Sequence, residues 1–141
     1  MITNKGVKIM NTSKLFETKS TLSFEVFPPK STTPVESIYK TIDGLSPLNP
    51  DFISVTYGAG GSTNNATISI CDVIKNKYGI EAVAHLPCIN LTKEKVLSEL
   101  EEMKKCGIEN ILALRGDINP DIEPKNDFKY ASELVDFIKQ H

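Results

Sequence analysis

Four short apolar segments recur at almost even spacing, and nothing else in the chain constrains the fold as strongly. Thr21–Phe27, Phe52–Thr56, Glu81–His85 and Asn110–Leu114 are each apolar and bounded by turn residues, the pattern of buried strands. Their central residues Phe24, Ile53, Val83 and Leu112 are separated by 29, 30 and 29 positions. The four units are not alike in sequence, so the period is architectural rather than a sequence repeat. Helical stripes fill the intervals. Val35, Ile38, Ile42 and Leu45 make the first, and Ala66, Ile70, Val73 and Ile74 the second, with Gly79 as its C-terminal cap. Val96, Leu97, Leu100 and Met103 make the third, with Thr92 as N-cap and Gly107 as stop. Ala131, Leu134, Val135 and Ile138 begin a fourth, which meets no stop signal.

The order βαβαβαβα predicts a parallel sheet with helices packed outside it. Two architectures fit. A doubly wound sheet is complete at 141 residues, whereas a (β/α)8 barrel needs about 250. The even period and the helix that runs off the end favour the barrel. The expected fold is therefore α/β, the first four βα units of a (β/α)8 barrel in residues 21–141. A polar lead-in, residues 1–20, precedes it, with Met10 as an alternative start.

Composition removes several function classes. The chain is 40% hydrophobic and 24% charged with net charge −2, an ordinary globular balance that opposes disorder. No apolar run approaches the roughly 20 residues of a membrane span, so a membrane partner is not expected. The start lacks an apolar signal region. Lysines alternate with acids, as at Glu99, Glu101, Glu102, Lys104 and Lys105, which leaves no basic face for nucleic acid. The cysteines, Cys71, Cys88 and Cys106, are too far apart in sequence for a C-x-x-C pair, which points to a reducing cytoplasm. With His85 the only internal histidine, no metal site is expected. Arg115 is the only arginine among 16 basic residues. Where lysine otherwise serves, one retained arginine suggests a need for the planar fork.

In either architecture chemistry belongs at the C-terminal ends of the strands. Every strand delivers a polar group there: Glu25 inside the first, Thr56 and Tyr57 closing the second, His85 closing the third, Arg115 and Asp117 after the fourth. Glu25, between Phe24 and Val26, is expected to be largely desolvated, which suits a general acid; a structural carboxylate is the alternative. The glycines of TYGAGGST permit close backbone approach, although the segment is neither a dinucleotide fingerprint nor a Walker loop. His85 is a functional group or a satisfied core histidine. Cys88 reads as a small buried residue. Arg115 could grip a phosphate or carboxylate, or pair with Asp117 to order the loop.

SFEVFPPK, SVTYGAGGS, AHLPC and ALRGD, in this order and spacing, closely resemble methylenetetrahydrofolate reductase of the bacterial type, from about Leu22 to Ile138. The resemblance implies a (β/α)8 barrel with FAD at the strand C-terminal ends. It implies reduction of 5,10-methylenetetrahydrofolate to 5-methyltetrahydrofolate for methionine synthesis, with NADH or NADPH as co-substrate. By the same resemblance Glu25 is the general acid for opening the methylene ring, and Asp117 binds folate and tunes the flavin. Thr56, Tyr57, Ala59, His85, Arg115, Gly116, Tyr130 and Ala131 match cofactor contacts. Only the first half of such a barrel is matched. The alternative is a non-catalytic half that needs a second copy or a separate C-terminal half to cover its open edge. A complete flavodoxin-like or receiver-like domain fits the length, but the acidic cluster and phosphate loop of those folds do not follow the first strand.

Overall fold

The structure, a computed structural model, describes residues 11–29, 33–58, 66–118, 123 and 125–141. The elements run α1 (Thr12–Thr18), β1 (Ser23–Val26), α2 (Glu36–Leu45), a 3-10 turn (Ser46–Leu48) and β2 (Phe52–Val55). Then come α3 (Ala66–Asp72), a π turn (Val73–Lys77), β3 (Glu81–Pro87), α4 (Lys93–Lys105), β4 (Asn110–Leu114) and α5 (Ala131–Gln140). All neighbouring strands pair in parallel, in the order β1-β2-β3-β4. The order never reverses, so there is no switch-point crevice of the doubly wound kind.

Strand alternation divides the sheet into two unlike faces. Phe24, Val26, Ile53, Val55, Ala82 and Ala84 pack against Ile38, Ile42, Ile70, Ile74 and Met103 of the helices. A second cluster joins Leu86 and Cys88 to Val96 and Leu100 of α4 and Leu134 of α5. Each fully buried aliphatic side chain here contributes about 1.5–3 kcal/mol. The opposite face carries Glu25, Phe27, Ser54, Val83, His85 and Leu112, and no α2–α5 core residue packs on it. Phe27 is 65% and Leu112 43% exposed, unusual for sheet residues of this size.

Several boundaries differ from the sequence reading. The first strand is Ser23–Val26 rather than Thr21–Phe27. Leu22 donates its N–H to the Asp51 carboxylate (2.9 Å), although its carbonyl still accepts from Asp51 N–H (2.7 Å), and Pro28 and Pro29 have no N–H to give. The third strand runs on to Pro87, and Cys88 N–H (2.9 Å) and Ile89 N–H (3.0 Å) extend its pairing to Leu114 and Arg115. The described part of the lead-in, from Asn11, holds a short helix. Asn11 caps α1 by accepting from Ser13 N–H (3.0 Å), and Phe16 meets Phe52 edge-on at the lower end of the second face.

The second helix changes pitch at Val73, where Tyr78 N–H reaches back five residues to the Val73 carbonyl (3.3 Å). Lys75 of this π turn is buried, and its Nζ lies 2.8 Å from Glu81 Oε1 at the start of β3. Asn110 donates to the same oxygen (3.0 Å), and Thr12 N–H donates to Asn110 Oδ1 (2.9 Å). One polar chain thus links α3, β3, β4 and α1 below the sheet. Removing one partner of such a pair strands a buried charge. Glu81→Leu is expected to lower urea-denaturation stability by about 3–5 kcal/mol. Adding Lys75→Met should recover much of that loss, and an unchanged midpoint in the single variant would show that the pair is not desolvated.

Candidate functional site

Glu25 and His85 are the two sequence-predicted residues that meet. Both lie on the uncovered face, Glu25 opposite Ser54 and His85 two residues beyond Val83, which pairs with Ser54. His85 Nε2 is 3.4 Å from Glu25 Oε2, within ion-pair reach but without hydrogen-bond geometry, and this buried nitrogen has no hydrogen-bond partner. Glu25 itself is not desolvated as expected: its side chain is 49% exposed. The physical reason is that no covering layer packs on this face among the described residues. His85 is the buried partner. Desolvation lowers its pKa below the ordinary 6.5, and the Glu25 carboxylate opposes that shift.

The strand ends are fixed one by one. Thr56 N–H donates to Val26 O (3.0 Å), and Thr56 O accepts from Thr67 Oγ1 at the start of α3 (3.0 Å). Tyr57 turns to the helix side, where its hydroxyl donates to Glu99 Oε1 of α4 (2.8 Å). Burial and the adjacent carboxylate push the Tyr57 phenol pKa up. The phenol is therefore committed below the edge, leaving backbone and ring for any ligand. Ala59, with Gly60 and Gly61, lies outside the described residues.

Past β4, Arg115 Nε donates to Lys129 O (3.3 Å), which ties the strand end to the entry of α5. No Arg115–Asp117 ion pair exists among the described residues, so the loop-ordering pair, the alternative to an anion grip, is not formed. Asp117 stands exposed. Gly116 has φ +80°, and a Cβ there would sit 3.0 Å from Pro87 Cβ, so only glycine lets the two strand ends close up. Tyr130 is the exposed N-cap of α5, its N–H held by Glu133 Oε2 (3.2 Å), and Ala131 is the first helical residue. Cys88 is buried, as read from sequence.

The upper rim of the sheet thus presents an acid beside a neutral imidazole, an arginine fork and a glycine gap on one open ledge. The family model described as methylenetetrahydrofolate reductase matches residues 9–141. The chain belongs to that family.

Members from bacteria and plants agree. The chain is 41% identical over 119 residues to the 5,10-methylenetetrahydrofolate reductase of Pectobacterium carotovorum subsp. carotovorum, covering 84% of this chain and 39% of that protein. The corresponding protein of Escherichia coli (strain K12) is 40% identical, covering 84% of this chain and 40% of its own length. Methylenetetrahydrofolate reductase (NADH) 1 of Arabidopsis thaliana is 37% identical over 125 residues, with 86% and 21% covered. The chain spans about two-fifths of the length of these bacterial family members and one-fifth of the plant one.

Sequence reasoning missed Glu99, which it grouped with the solvated charges of the third helix. It is buried, with Oε1 also 3.3 Å from Lys95 Nζ and Oε2 unpartnered. The available signal was its place beside Val96, Leu100 and Met103 on the apolar stripe. On the open face, His85 gives a pH signature. Its folded pKa is depressed, so its contribution to stability is complete above the ordinary value of 6.5 and is lost as pH falls through the folded value. Imidazole proton shifts should titrate below 6.5, and Glu25→Gln should move the midpoint lower still. A midpoint unmoved by Glu25→Gln would mean the two side chains do not interact.

Proposed function

We propose that this chain is one half of the barrel of an FAD-dependent reductase that converts 5,10-methylenetetrahydrofolate to 5-methyltetrahydrofolate. The observation that carries the reading is the Glu25–His85 pair on the uncovered face of a family sheet, at 3.4 Å. The unreversed strand order, with the α2–α5 core on one face, supports the half-barrel. NADH, or NADPH, is the co-substrate, and the relative named for NADH favours the former. Three free cysteines suit a reducing cytoplasm.

The residues present fit one wall of a flavin and pterin site. His85 Nε2 is buried and unpartnered, and Arg115 spends only Nε on the described backbone. Thr56, Tyr57, His85, Arg115, Gly116, Tyr130 and Ala131, with Ala59, would hold the cofactor at the rim. FAD, when bound, supplies the hydride chemistry. Glu25 gives its proton to the ring nitrogen that leaves as the methylene bridge opens. Asp117, exposed past β4, meets the folate.

The visible absorption of the desalted chain mixed with FAD tests the reading. Retention of a flavin band after a second desalting, and its bleaching by NADH, are the expected outcomes. A colourless protein would overturn a rim site formed by this half alone. With flavin bound, Glu25→Gln should abolish folate reduction and leave bleaching by NADH intact, and equal loss of both would remove the proton-donor role.

A second reading, a non-catalytic half seated on a partner half, is favoured by the same uncovered face with Phe27 and Leu112 exposed and by the free edges of β1 and β4. Light scattering should then show a dimer of the chain. A monomer whose mass is unchanged by an added C-terminal half would exclude it.

A further inference from the structure

Glu99 is the polar group in the helix layer that neither the fold nor the proposed chemistry uses. It lies at the edge of the buried stripe of α4 formed by Val96, Leu100 and Met103, with its side chain 3% exposed. A buried carboxylate carries a desolvation cost of several kcal/mol that only its partners can offset. Oε2 has no hydrogen-bond partner, so the cost is not fully offset inside the protein. The other oxygen, Oε1, takes the Tyr57 hydroxyl at 2.8 Å and Lys95 Nζ at 3.3 Å. Lys95 is one helical turn away and half exposed, a contact of small worth. What Glu99 secures is Tyr57.

Tyr57 follows Thr56 directly, beyond the last ladder pair of β2. The backbone here is held at three points. Val26 O takes the Thr56 N–H, Thr67 Oγ1 binds the Thr56 carbonyl, and Glu99 grips the end of the Tyr57 side chain. The first two act on Thr56 itself. The third is the only hydrogen bond of the Tyr57 side chain among the described residues, and it reaches across the helix layer to α4. We propose that Glu99 is a positioning residue: through Tyr57 it fixes the end of β2 so that Thr56 faces the ligand at the rim. The consequence for cofactor binding rests on the flavin reading above. The fixing of the strand end does not.

Three variants and two readouts separate these. Glu99→Leu and Tyr57→Phe each remove the tie, whereas Glu99→Gln keeps an accepting oxygen. Amide hydrogen exchange of the chain is expected to rise about tenfold at Thr56–Gly58 in the first two variants. It should stay near the wild-type rate in Glu99→Gln, with β3 amides unchanged throughout. The double variant Glu99→Leu/Tyr57→Phe should exchange no faster than either single, since both break one contact. The urea midpoint of Glu99→Leu should fall only modestly, because the Tyr57 hydroxyl loses its acceptor while a desolvated carboxylate is removed. Unchanged exchange at Thr56–Gly58, additive effects in the double variant, or a rise spread over β3 would each overturn the proposal and leave Glu99 with a packing role. FAD titration supplies the second readout. Where wild-type chain binds FAD, Glu99→Leu should weaken it at least fivefold and Glu99→Gln less than twofold; equal affinities would overturn the consequence for the cofactor. Where wild-type chain binds no FAD, the flavin reading of this half fails, and exchange alone decides the role of Glu99.

Discussion

The structure depends on the parallel pairing of four strands in their sequence order. Such a sheet must route every connection over a face. The described helices α2–α5 put their core residues on one face, so that face is sealed by Ile38, Ile42, Ile70, Ile74, Val96, Leu100 and Leu134. The other face keeps its side chains turned away from the helix core. Its lower end is closed by α1 and by the chain of polar contacts through Thr12, Asn110, Glu81 and Lys75. Its upper end stays open, and there Glu25 and His85 meet.

One asymmetry follows for electrostatics. At the bottom, Lys75 and Glu81 are both buried and matched in charge and hydrogen bonding. At the top, only His85 is buried, its nearest acid is half in solvent, and its Nε2 lacks a hydrogen bond. The lower network joins the sheet to α1 and the π turn. The upper set is a wall with one side, which matches a chain spanning about two-fifths of its bacterial relatives. Glu99 belongs to neither pole. It sits in the helix layer and reaches the rim through Tyr57.

Much of the fold was legible because it rests on local chemistry. Strand apolarity located all four strands, and Asn110–Leu114 matched to the residue. Gly79 and Gly107 adopt positive φ where helix ends were placed, and Thr92 Oγ1 accepts Lys95 N–H (3.2 Å) as the expected cap. The misses share a cause. The π turn at Val73, the helix at Thr12–Thr18 and the burial of Glu81 and Glu99 depend on partners far away in sequence. So does the exposure of Glu25, since apolar flanks predict burial only when something covers the strand.

By itself the sequence determined the βα order, the helix caps and the set of polar residues delivered to one edge of the sheet. Its motifs also carried the family. Only the tertiary structure decided which of those residues touch. It joined Glu25 to His85 across β2, turned the Tyr57 hydroxyl down to Glu99, and spent Arg115 Nε on the Lys129 carbonyl rather than on Asp117. The reason is register and face. A side chain's neighbours across a parallel sheet are set by pairing between strands about 30 residues apart, and no local propensity encodes that pairing.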